Sequence, residues 1–133
     1  MITLKDAKLI IAAAEEKAEE IKQPMNIAIV DAGGNLVAHI RMDNAWIGSI
    51  DISIKKAWTA RAFDITTKEL SKLAQPGQGF YGIQYSNDGR VQILPGGIPL
   101  KVNGQVVGAI GVSGGTGEQD QSVAEAAIKV FNS

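Results

Sequence analysis

Asn103-Gly104 stands between two apolar runs, residues 98–102 and 105–112. An Asn-Gly pair takes the two positive-φ positions of a type I′ turn at low cost, and that turn matches the twist of paired strands. The pair therefore predicts an antiparallel hairpin late in the chain. A second turn, Asp31-Ala32-Gly33-Gly34-Asn35, separates the apolar stretch at 26–30 from residues 36–41. Its glycines are free to take positive φ. Alternation in the returning strand places Leu36, Ala38 and Ile40 on one face, with Val37, His39 and Arg41 on the other. Residues 91–94 read as a further strand, turned by Pro95-Gly96-Gly97, which gives five strands in all.

Helical periodicity fills the intervals. Thr3 followed by Asp6 is a helix-start pattern. Leu4, Ala7, Ile11, Ala14, Ala18 and Ile21 then recur at three and four across residues 4–22, ahead of Pro24. Residues 50–63 fit either period over their first half, and their length favours a helix. Thr66 caps a short helix to Leu73, with Glu69 three residues on. Residues 75–89, rich in Gly, Gln and Ser, form a long irregular stretch of the kind that often carries function. A last helix covers 118–131. Two strand groups with helices between them predict an antiparallel sheet flanked by helices.

Composition narrows the chemistry. The 133 residues make about one domain, taken as 1–133. Net charge is −1, with 13 basic and 14 acidic residues, so no basic excess points to nucleic acid or an anionic membrane. Cysteine is absent, which excludes disulfides, thiolate metal sites and cysteine nucleophiles. The single histidine, His39, excludes a two-His metal site within one chain. No stretch of 18 apolar residues reads as a membrane span. The first twenty residues lack a signal-peptide pattern, so the expected location is the cytoplasm.

Several segments invite two readings. Val107, Ala109, Gly111 and Ser113 share a strand face of mostly small side chains, suited to a close helix or to a flat ligand. Ser113-Gly114-Gly115-Thr116-Gly117 precedes the last helix. It is either a flexible turn or a cradle for a carboxylate or phosphate. Asp120, in the first turn of that helix, would oppose an anion there. Pro95-Gly96-Gly97-Ile98-Pro99-Leu100 reads as a site, a subunit contact or a structural turn. His39 and Arg41 share a strand face, as an exposed pair or as an iron ligand with a partner for a haem propionate. Lys55, Lys56 and Arg61 read as a solvated helix face. Tyr81 and Tyr85 anchor the long loop, ligate iron or cover a pocket.

Five segments in order carry a resemblance that spans nearly the whole chain. They are Ile29-Val30-Asp31-Ala32-Gly33-Gly34-Asn35-Leu36, Arg41-Met42-Asp43, Lys56-Ala57-Trp58-Thr59-Ala60, Pro95-Gly96-Gly97-Ile98-Pro99-Leu100 and Gly108-Ala109-Ile110-Gly111-Val112-Ser113-Gly114-Gly115, with Asp120 after the last. Together they resemble the GlcG/HbpS-like family, which includes the C-terminal domain of PduO-type cobalamin adenosyltransferases and small proteins of glycerol and diol operons. The resemblance implies a profilin-like α/β/α fold of the α+β type, with a five-stranded antiparallel sheet. It implies homo-oligomers, from dimers to octamers, and haem binding in some relatives. A first-helix histidine that serves as ligand in some of them has no counterpart here. Arg41, Lys56, Gly96, Gly97, Ser113, Gly114, Gly115 and Asp120 stand as ligand-binding candidates, with His39 as the haem ligand. The leading expectation is a haem- or tetrapyrrole-binding module. The rivals are an enzyme acting on haem or a small carboxylate, and an accessory subunit of glycerol or diol metabolism.

Overall fold

The computed structural model describes residues 1–131. The elements run α1 (Leu4–Glu20), β1 (Asn26–Asp31), β2 (Leu36–Arg41), α2 (Gly48–Phe63), α3 (Thr67–Leu73), β3 (Gly97–Val102), β4 (Gln105–Ser113) and α4 (Gly117–Ile128). The last helix ends three residues short of expectation. Residues 132–133 of the expected single domain lie outside the described residues.

The strands form one antiparallel sheet in the order β2-β1-β4-β3. It has four strands, not the five expected. Residues 91–94 do not pair. The Gln92 N–H donates to the Thr59 hydroxyl on α2 (2.9 Å), so that donor is satisfied by a helix side chain and not by a strand neighbour.

Both faces of the sheet are covered, giving three layers. Ile27 and Ile29 of β1 and Ile110 and Val112 of β4 pack with α1 and α4. Ala28, Val30 and Ala109 point the other way, against Ala57 and Ala60 of α2. Burial on both sides explains why residues 26–30 read as a continuous apolar run. The α1 periodicity holds at Ala7, Ile11, Ala14 and Ala18, while Leu4 is left exposed. Thr3 and Asp6 form the expected capping box, and Thr66 caps α3 by accepting from the Glu69 N–H.

A bulge between Ile29 and Val30 alters the expected β2 faces. Ala38 pairs with Ile29, but Leu36 pairs with Val30. Cross-strand partners share a face, so Leu36 joins the His39 side instead of the Ala38 and Ile40 side.

The small residues of β4 meet a matching stripe on α2. Ser49, Ser53, Ala57 and Ala60 are all buried along that helix. A Cβ at Gly111 would collide with the Ser53 carbonyl and lie 2.5 Å from the Ala57 nitrogen. The small-residue face therefore serves a close helix–sheet contact, and no flat ligand has room on it.

Candidate functional site

At the end of β4, seven of the nine candidates gather around a buried ion pair. Lys56 is 1% exposed; its ammonium donates to the Val112 carbonyl (2.8 Å) and to Asp120 Oδ2 (2.9 Å). Asp120 Oδ1 accepts from the Gly115 N–H (2.9 Å). The Gly96 N–H donates to Gln121 Oε1 (3.1 Å), and the Gly97 N–H to Thr67 Oγ1 (2.9 Å). Ser113 Oγ donates to Ser49 Oγ (3.0 Å), and the Gly114 carbonyl accepts from Gln23 Nε2 (2.9 Å). Gly96 has φ +124° and lies too close to the Val112 carbonyl for any side chain.

Burial pushes Lys56 below its ordinary value and Asp120 above its own, and each is opposed by the charge of the other. With Lys56 and Gly115 donating to it, the Asp120 carboxylate already occupies the place of an anion before α4. Lys56 is thus no part of a solvated helix face. The loop at 113–117 answers its own carboxylate and not an external one.

The other two candidates sit at the free edge of the sheet. Arg41 is exposed and borders a shallow cleft of about 380 Å³ with Glu15, Glu19 and Asp43. His39 is half-buried on the α2 side of β2, opposite Ala28. Its Nε2 lies 3.1 Å from Asn26 Oδ1. The Asn26 amide nitrogen donates to the Trp46 carbonyl (3.0 Å), which fixes the amide orientation and leaves Oδ1 as acceptor. His39 therefore carries its proton on Nε2 and its lone pair on Nδ1. Burial lowers the pKa of the ring, which favours the neutral form. An imidazole whose far N–H is held by an amide oxygen is the arrangement in which histidine ligates metal. Sequence reasoning missed Asn26; its only signal is an amide in an otherwise apolar strand.

Exposed apolar side chains stand in the segments that flank this lock. Trp46 is 64% exposed, Ile47 76% and Leu36 50%. Tyr81 and Tyr85 are exposed in the long loop. Among the described residues no group of three His, Cys, Asp or Glu side chains forms a metal site.

The model of the family described as haem degrading protein HbpS-like matches residues 2–129. The chain belongs to the HbpS-like family. An HbpS-like relative from Citrobacter freundii, an uncharacterized 15.0 kDa protein in the dhaT-dhaS intergenic region, is 47% identical over 98% of this chain and 92% of its own length. Corrinoid adenosyltransferase PduO of Salmonella typhimurium is 37% identical over 98% of this chain, which spans only 39% of that protein. A solved HbpS-like neighbour, the PduOC:haem complex, superposes with a TM-score of 0.94 at 37% identity, covering 98% of this chain and 95% of that one. No helix among the described residues is long and apolar enough to cross a membrane.

Proposed function

We propose that this protein is a small haem-binding module whose iron ligand is Nδ1 of His39, and that it works as a homo-oligomer. The observation that carries this reading is the Asn26 lock, which leaves one neutral imidazole with its lone pair unused beside exposed apolar side chains. The haem complex of a 37% identical relative supports haem as the bound molecule. Arg41 follows two residues along the same edge strand and suits a propionate. Trp46, Ile47 and Leu36 supply apolar cover on one side. One chain offers one wall only, so a second copy completes the pocket.

Bound haem would supply a redox-active iron. The chain's own part is to present an uncharged imidazole, to fix its tautomer through Asn26 and to pair a propionate. Lys56 and Asp120 have no part in this reading, because they are spent on each other. A second reading, an accessory subunit of glycerol or diol metabolism, is favoured by the relative in the dhaT-dhaS region.

A hemin titration followed in the Soret region tests the first reading. Saturation near one haem per chain is expected, with the Soret shift lost in His39→Gln, which keeps a donor for Asn26 but removes the imidazole. Arg41→Ala should weaken binding several-fold without changing the band position. A featureless linear response, or a shift unchanged in His39→Gln, overturns it. Light scattering checks the oligomer, and a monomer at micromolar concentration refutes the shared pocket.

A further inference from the structure

The cleft between α2 and the turn before residue 91 takes no part in the haem reading. It holds about 440 Å³ and is lined by Lys55, Trp58, Asn87, Asp88 and Arg90. The Arg90 guanidinium carbon sits 4.2 Å above the centroid of the Trp58 ring. A stacked guanidinium keeps its edge N–H groups free for a planar carboxylate. Lys55 pairs with Asp51 and Arg61 with Asp64, but among the described residues Arg90 has no carboxylate partner.

The platform under Arg90 is held in place. The Trp58 ring meets Phe63 edge-on at 6.5 Å, and its indole lies against Gly34. Behind Arg90, the buried Thr59 hydroxyl donates to the Arg90 carbonyl (3.4 Å) and accepts from the Gln92 N–H (2.9 Å). In the same lining Asn87 and Asp88 both take positive φ, 52° and 56°. Asn and Asp tolerate that region, and the turn brings both side chains into the cleft lining. The cleft thus gathers a fixed cation, a second cation, a carboxylate and an amide along one lining.

We propose that this cleft binds a small carboxylate that also carries a hydroxyl or amino group. The carboxylate pairs with Arg90, supported by Lys55, and the hydroxyl or amino group donates to Asp88 with Asn87 beside it. A bare oxyanion meets repulsion from Asp88, whereas a ligand with a donor next to its carboxylate satisfies both signs of charge.

Trp46→Phe leaves Trp58 as the only tryptophan of the chain's two, so its fluorescence reports on the stacked pair. The full-length variant is titrated with L-lactate, L-serine, acetate and inorganic phosphate, and calorimetry is run alongside. Lactate or serine should saturate at least about tenfold more tightly than acetate or phosphate, a gap of about 1.4 kcal/mol. Arg90→Gln should abolish the saturable response, and Asp88→Asn should narrow the gap between lactate and acetate. Both side chains are exposed, and circular dichroism verifies that these variants stay folded. No saturable response to lactate or serine, phosphate binding as tightly as lactate, or a response that survives Arg90→Gln overturns the proposal. His39→Gln should leave this binding unchanged, which separates the cleft from the haem site.

Discussion

The ion pair at the end of β4 and the histidine at the edge of β2 both place polar groups against the α2 side of the same sheet. They differ in what remains unanswered. Around Lys56 and Asp120, every donor and acceptor described above is met within the chain, and among the described residues no buried side-chain polar atom lacks a partner. At His39 one ring nitrogen is committed to Asn26, and among the described residues the other has no hydrogen-bond partner. A saturated polar cluster specifies how elements dock, and an unsaturated one keeps capacity for a ligand.

Removing one member of the saturated cluster should have the largest effect. Asp120→Ala leaves the Lys56 ammonium buried with only the Val112 carbonyl. Breaking such a pair costs about 3–5 kcal/mol. Replacing both, as Lys56→Met with Asp120→Leu, should recover most of that loss, since an apolar pair of similar volume removes the uncompensated charge. Urea denaturation reads both. If the single substitution costs under about 1 kcal/mol, the pair is solvated in solution and the contrast with His39 collapses.

Next in size is the helix–sheet contact that positions both regions. Gly111→Ala places a methyl group against the Ser53 carbonyl and the Ala57 nitrogen, so α2 must lift from β4. Overpacking of this kind costs about 1–3 kcal/mol. Because α2 follows the loop bearing Trp46, lifting it should also weaken hemin binding. A stability loss with hemin affinity intact would show that the two regions are mechanically independent.

Much of the frame is legible in the chain. Asn103-Gly104 and the turn at 31–35 mark the two hairpins, and Thr3 and Thr66 mark two helix starts. The small-residue face of β4 raises the correct alternative, although only the structure supplies the stripe of Ser49, Ser53, Ala57 and Ala60 that decides for packing. The fifth strand fails because residues 91–94 carry a strand-like pattern but find no strand partner, and the Gln92 N–H turns instead to Thr59, a long-range bond that no local pattern encodes. The glycine motifs mislead for a related reason. Gly96, Gly97 and Gly115 are glycines because backbone and side chains crowd them, and crowding resembles ligand approach when only the sequence is visible. Asn26 and the Arg90–Trp58 stack join residues far apart in the chain, so neither forms a motif.

The smallest expected effect separates the two regions by sign. The folded-state pKa of His39 lies below its ordinary 6.5. As pH falls past 6.5 the unfolded chain takes up its proton first, so stability is lost on the way down to the folded value. The folded-state pKa of Asp120 lies above its ordinary 3.8, so the folded chain protonates first and stability is gained as pH falls from that value towards 3.8. Lys56 follows the sign of His39 at the alkaline end, with stability rising as pH climbs through its folded value towards 10.5. A single proton limits each slope to about 1.4 kcal/mol per pH unit. Solvent around the half-buried imidazole keeps the His39 contribution well under that limit. Urea midpoints from pH 3.5 to 8 should show His39→Gln flattening the decline just below 6.5, and the apolar pair removing the gain above 3.8. If His39→Gln leaves the decline unchanged, the ring is not held neutral by burial, and the lone pair on Nδ1 loses the protection that makes it available to iron.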